Sequence, residues 1–121
     1  MGKLVFFWEP TILTDVPEDS EIMLVEPFGL LVPIIAFDSL EEVILKANSL
    51  PYGLAAYVFT RSEKTTEMLV ESLESGGVAV NSAAPVPSDL PYGGFKDSGY
   101  GYEGGIEGVE EYLHKKLVSL A

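Results

Sequence analysis

The chain has 121 residues, of which 47% are hydrophobic. That length suits one domain and is enough to bury about two-thirds of the surface an unfolded chain exposes. Nineteen acidic residues against seven basic ones give a net charge of −12, which disfavours nucleic acid and anionic membrane surfaces as partners. There is no cysteine, which excludes a disulfide framework, a zinc–thiolate site, an iron–sulfur cluster and a cysteine nucleophile within this chain.

The acidic residues are spread along the sequence and read as a solvated surface rather than a metal site. No EF-hand spacing occurs, and His114 is the only histidine, so no metal ligands are assigned. The opening Met1-Gly2-Lys3-Leu4-Val5-Phe6-Phe7-Trp8 is cut short by Glu9-Pro10 and does not form a signal peptide. Phe6 stands where a myristoylation signal needs Ser or Thr. No apolar stretch reaches membrane-spanning length. A soluble, cytoplasmic protein is the expectation.

Residues 5–8 are aromatic and β-prone, and residues 11–14 form a second short strand candidate. Residues 15–20 are a polar turn, too short to separate two domains. The apolar run 30–37 suits a buried strand, with Pro33 leaving one side of its backbone unpaired. Ser39-Leu40-Glu41-Glu42 reads as a capping box. Leu40, Val43, Ile44 and Ala47 then mark the buried face of a helix. Residues 54–59 follow as a buried strand.

Ser62 opens a second helix to about residue 75, with Met68, Leu69 and Leu73 inward. Gly76-Gly77 is expected to end it in a left-handed turn. Residues 78–81 make a further buried strand, and residues 82–102 a proline- and glycine-rich loop. A short helix over 105–114 would face Ile106, Val109 and Leu113 inward, with Gly105 and Gly108 permitting close backbone packing. His114, with Lys115 and Lys116, would complement its C-terminal end. Residues 117–120 read as a closing strand. Strand and helix alternation indicates an α/β fold of βαβ units with a mostly parallel sheet.

Two segments invite chemistry. In Glu26-Pro27-Phe28-Gly29 the carboxylate could accept hydrogen bonds from a vicinal diol and the ring could pack on a flat ligand; an ordinary turn is the alternative. In Tyr92-Gly93-Gly94-Phe95-Lys96-Asp97-Ser98-Gly99-Tyr100-Gly101 the glycines permit positive φ and close backbone approach. That loop is either a phosphate cradle charged by Lys96 or a tightly packed turn, and it matches neither common phosphate-loop spacing. No Ser–His–Asp arrangement is convincing, and Glu107, Glu110 and Glu111 form a helix surface rather than an acid/base pair.

Four segments in order resemble the C-terminal part of an NAD(P)-dependent aldehyde dehydrogenase. They are Phe6–Val16 before the E-x-F-G motif at Glu26 and Phe28, Ala47-Asn48 with Tyr52-Gly53-Leu54-Ala55-Ala56, Asn81, and Pro91-Tyr92-Gly93-Gly94-Phe95-Lys96-Asp97-Ser98-Gly99. Glu103-Gly104-Gly105-Ile106-Glu107-Gly108 is most similar to succinate-semialdehyde-type members. The resemblance implies that Glu26 binds the nicotinamide ribose hydroxyls and that Phe28 packs near the nicotinamide. It places Val86 and Tyr92 on the aldehyde tunnel. It makes Leu117, Val118, Ser119 and Leu120 a strand that pairs with a partner subunit in a homo-oligomer. Leu30 departs from the family's usual proline, Tyr92 from the commoner phenylalanine, and Trp8 is bulkier than usual there.

The resemblance further implies a reaction in which a cysteine thiolate attacks the aldehyde, hydride passes to the cofactor, and a glutamate-activated water releases the acid. That cysteine, the general base and the cofactor-binding domain are not in this sequence. The chain is therefore expected to form residues 1–113 of one catalytic-domain portion plus a pairing segment, 114–121. It is expected to be inactive alone and to bind neither NAD nor NADP tightly. The alternative is a stand-alone, non-enzymatic oligomerising module derived from the same family.

Overall fold

Thr11, the first residue of a short strand, donates its backbone N–H to Leu30 O at 2.8 Å and starts a parallel ladder. The computed structural model describes residues 7–83 and 87–121, and the chain divides into two compact units, Met1–Ser39 and Leu40–Ala121. In the first, β1 (Thr11–Thr14) pairs with β2 (Leu31–Ile34), Thr11 opposite Leu31 and Thr14 opposite Ile34. Between them, after the polar turn at residues 15–20, lies a single helical turn, α1 (Glu21–Leu24), an element not expected from the sequence. Leu13 opposes Pro33, and β2 has no second ladder partner among the described residues, in keeping with the missing proline N–H. The strand is not buried as expected: Val32 and Ile34 are exposed. Residues 5 and 6 of the first strand candidate lie outside the described residues, and residues 7 and 8 form no strand.

The second unit begins with α2 (Leu40–Ala47). Leu40, Val43 and Ile44 are half-buried, while Ala47 is exposed. Glu42 and Lys46 form an i,i+4 ion pair at 2.7 Å on its surface. Two short strands follow, β3 (Tyr52–Gly53) and β4 (Ala55–Val58). Helix α3 (Glu63–Ser72) is capped by Ser62, whose Oγ accepts from Thr65 N–H at 3.2 Å. It leads to β5 (Gly77–Val80), which runs parallel to β4 with Ala55 opposite Gly77 and Val58 opposite Val80. This β4–α3–β5 segment is a βαβ unit, and Val58 and Leu69, its buried hydrophobic side chains, are 7% and 9% exposed. The α/β class thus holds, but as three two-stranded ladders, two of them parallel.

The second helix stops earlier than the glycines suggest. Leu73 already has extended backbone, with its N–H bonded to Leu69 O, and Gly76 and Gly77 do not take positive φ. Their lack of a side chain serves close approach instead. A Cβ on Gly76 would overlap the carbonyl oxygen of Gly93, and one on Gly77 would come within 3.1 Å of the Tyr92 ring.

The final helix, α4 (Gly105–Glu110), is turned the other way from the expectation. Gly108 lies against the backbone of residues 102 and 103, while Ile106, Val109 and Leu113 are exposed. Bare glycine lets backbone meet backbone, and that places the branched side chains outward. The helix ends before His114, which is therefore not in its last turn. Residues 117–120 form no ladder with any described residue; Leu117 and Leu120 are 94% and 90% exposed. Only two hydrophobic side chains are buried among the described residues, so the expected large core is not formed within this chain.

Gly76→Ala is expected to cost about 1–3 kcal/mol, because Gly93 O is backbone and cannot swing away. Gly29→Ala, with nothing within 4 Å of the added methyl, should stay within about 0.5 kcal/mol of the parent. Urea midpoints followed by circular dichroism compare the two.

Candidate functional site

The loop after residue 90 is tied down at both ends. Tyr92 and Glu103 exchange backbone hydrogen bonds, each N–H donating to the other's carbonyl at 2.8 Å. Three residues after Tyr92, β6 (Phe95–Lys96) begins and pairs antiparallel with β3, Gly53 opposite Phe95 and Tyr52 opposite Lys96. Asp97 N–H donates to Pro51 O, and Gly53 N–H donates to Ser98 Oγ, both at 2.8 Å. Gly93 and Gly94 do not adopt positive φ, contrary to expectation. They are spaces: Gly93 faces the Tyr102 ring at 2.8 Å from a would-be Cβ, and Gly94 faces Ser98 at 2.5 Å.

Lys96 does not offer its charge to a phosphate. Its Nζ donates to Asn48 O at 2.8 Å and to Leu50 O at 3.1 Å, and it pairs with Glu74 Oε2 at 2.6 Å. An ammonium has three N–H donors, and three acceptors meet them here. Asn48 extends the network: its Nδ2 donates to Ser72 O at 2.7 Å and its Oδ1 accepts from Glu74 N–H at 2.9 Å. Asn81, at φ 53°, similarly brackets Thr60 with both ends of its amide, at 2.8 and 2.9 Å. Asn48, Lys96 and Ser98 were legible as motif residues, but no local pattern revealed that they bind one another's neighbourhoods.

Beside this network a cleft of about 740 Å³ runs along the β4–β5 pair. Small residues form its floor (Ala55, Ala56, Gly77, Ala79), and Leu90, Pro91 and Tyr92 stand over it. Glu103 brings one carboxylate to the rim. Gly104, at φ 73°, sits against the carbonyls of Ser88 and Leu90 and braces the segment that forms the outer wall. The half-buried ring of Tyr92 lies over Gly77, where any Cβ would displace it. An apolar, small-floored cleft with an aromatic lip suits an uncharged organic molecule.

Tyr92 lines this cleft. Val86 lies outside the described residues. Glu26 and Phe28 belong to the first unit, between α1 and β2. The Glu26 carboxylate is exposed with no partner among the described residues, and the Phe28 ring is 95% exposed. No group of three or more His, Cys, Asp or Glu residues placed to hold a metal occurs among the described residues. Nor is any helix there long and apolar enough to cross a membrane.

An α/β segment with a braced glycine loop over an apolar cleft is what the geometry defines. The aldehyde dehydrogenase family model matches residues 2–118, and the chain belongs to that family. It is 47% identical over 113 residues to a 4-(hydroxymethyl)benzenesulfonate dehydrogenase of Comamonas testosteroni, covering 93% of this chain and 24% of that protein. It is 40% identical over 114 residues to the NADP(+) succinate-semialdehyde dehydrogenase of Saccharomyces cerevisiae, covering 94% and 23%. The solved structure of betaine aldehyde dehydrogenase from Staphylococcus aureus in complex with NAD+ superposes with a TM-score of 0.84 at 38% identity, over 89% of this chain and 22% of that one. The chain spans about a quarter of the length of the curated relatives it matches, and is a partial aldehyde dehydrogenase segment.

Asn48→Ala removes two hydrogen bonds that tie α2 to the end of α3. The expected loss is about 2 kcal/mol, one for each bond, read as a lower urea midpoint with unchanged slope.

Proposed function

We propose that this chain forms the distal part of the catalytic domain of an NAD(P)-dependent aldehyde dehydrogenase, residues 1–113, followed by a subunit-pairing segment, residues 114–121. The whole enzyme would oxidise an aldehyde to a carboxylic acid. One observation carries the reading: the Tyr92 ring, seated over Gly77, forms the lip of an apolar cleft large enough for a small organic substrate. Tyr92, with Val86 on the preceding loop, would line the aldehyde passage and exclude water from it. Glu26 would accept hydrogen bonds from the nicotinamide ribose hydroxyls, and Phe28 would pack against the nicotinamide. Bound NAD(P) supplies the hydride acceptor. The thiolate nucleophile must come from other sequence, since this chain has no cysteine.

Residues 117–120 support a homo-oligomer. Leu117, Val118 and Leu120 are exposed, and the segment has no ladder partner among the described residues, so its backbone is available for strand addition.

The purified chain should show no NAD(P) reduction with any aldehyde; genuine turnover, free of contaminating enzyme, would refute the proposal that it acts only as part of a larger catalytic unit. The assigned roles are read in a chimera in which this chain replaces the matching segment of a full-length relative. There Glu26→Gln should raise the KM for NAD(P) about ten- to a hundredfold, the weight of charge-assisted hydrogen bonds to a diol. An unchanged KM removes Glu26 from the cofactor site.

Deleting residues 117–121 should lower the solution mass of the oligomer, measured by light scattering. A mass unchanged after deletion places the pairing surface elsewhere.

A further inference from the structure

We infer that Lys96 is a positioning residue that holds Tyr92 over the cleft and thereby sets the width of the aldehyde passage; the inference rests on the assignment of that cleft to the aldehyde. Lys96 stands at φ 54°, a left-handed conformation that costs a lysine energy a glycine would not lose. The strained backbone turns its side chain onto Asn48 O, Leu50 O and the Glu74 carboxylate. The first two belong to the turn between α2 and β3, and the third to the connection from α3 to β5. One ammonium therefore joins the loop to both segments that carry the floor strands β4 and β5.

The path from Lys96 to Tyr92 is short and stiff. Phe95 and Lys96 are fixed by their ladder to β3. Gly94 is closed against Ser98, whose Oγ accepts the Gly53 N–H. Gly93 O is in contact with Gly76, directly before the Gly77 on which the Tyr92 ring rests. A shift of the Lys96 turn away from residues 48–50 moves Gly93 off Gly76 and lifts the Tyr92 ring. The Tyr92–Glu103 bridge, no longer held in register, then opens more often.

Two measurements test this. In amide hydrogen exchange on the intact chain, Lys96→Met should speed exchange at Tyr92 and Glu103 by at least about tenfold, and Glu74→Gln, which leaves both carbonyl bonds, by about two- to threefold. If the amides of Gly53 and Asp97 accelerate while those of Tyr92 and Glu103 keep their parent rates, Lys96 steadies only its own turn and the inference fails. Should Lys96→Met not fold, Glu74→Gln carries the same comparison. In the chimera, the kcat/KM ratio of a bulky aromatic to a small aliphatic aldehyde should shift by at least about threefold in Lys96→Met, in the same direction as in Tyr92→Ala. A ratio that moves in Tyr92→Ala but not in Lys96→Met defeats the Lys96 inference and spares the cleft assignment. A ratio unmoved in Tyr92→Ala defeats the cleft assignment and the passage-setting role together, and the exchange rates still decide whether Lys96 holds Tyr92.

Discussion

The turn after α2 holds backbone carbonyls that need donors, and a charge from 46 to 48 residues away supplies them. Lys96 donates to Asn48 O and Leu50 O, both beyond the last residue of the helix. The Glu74 carboxylate adds a third acceptor, but its side chain is 55% exposed, and such a pair contributes no more than about 1 kcal/mol. The two carbonyl bonds, charge-assisted and geometrically fixed, outweigh it. Everything near the cleft depends on this contact, because it fastens a glycine-rich loop with little intrinsic order to the end of a helix.

Gly53 is where the fastened segments converge. Its N–H reaches Ser98 Oγ, its carbonyl accepts from Gly76 N–H at 3.0 Å, and its Cα lies against the Glu74 backbone. A side chain at any one of Gly53, Gly76 or Gly93 would force two backbones apart. That is why the loop needs several glycines that never visit the left-handed region: they provide proximity rather than conformational freedom. Where positive φ is required within this stretch, Gly99, Gly101, Gly104 and Gly105 provide it, together with Lys96 itself.

Local order was legible in the sequence, and distant contact was not. The periodicity of Leu40, Val43 and Ile44 located α2, and Ser62 located the start of α3, because helix starts are set by residues three or four apart. The motif residues Asn48, Lys96 and Ser98 carried the family resemblance, yet their physical task, binding across more than forty residues of chain, leaves no periodic trace. For the same reason the spacing alone does not exclude a phosphate cradle, whereas the three acceptors of Lys96 favour the tightly packed loop. Helix α4 failed in the opposite sense. Its amphipathic spacing is real, but Gly108 against the backbone of residues 102 and 103 turns the glycine side inward, and periodicity does not say which side of a stripe is covered.

That exposed stripe bears on what the chain can do by itself. Parallel strand pairs are ordinarily covered on both faces, and a two-stranded ladder alone is marginal in water. Here β1–β2 and β4–β5 are each two-stranded, and Ile12, Val32, Ile34, Tyr57 and Phe59 are exposed on or beside them. Ile106, Val109, Leu113, Leu117 and Leu120 add further uncovered apolar surface. Such surface marks where further protein docks, and the matched relatives are long enough to provide it, since this chain corresponds to 24% of one and 23% of another. The hydrogen-bonded network around Lys96 behaves differently. Its partners all lie within residues 48–98, so it needs no outside cover to close. The braced cleft is therefore the part that this chain can preorganise alone, whereas the exposed Glu26 and Phe28 have no partners among the described residues to orient them. In the proposed enzyme, binding at those two residues is organised by whatever covers the first unit, and shape at Tyr92 by the chain itself.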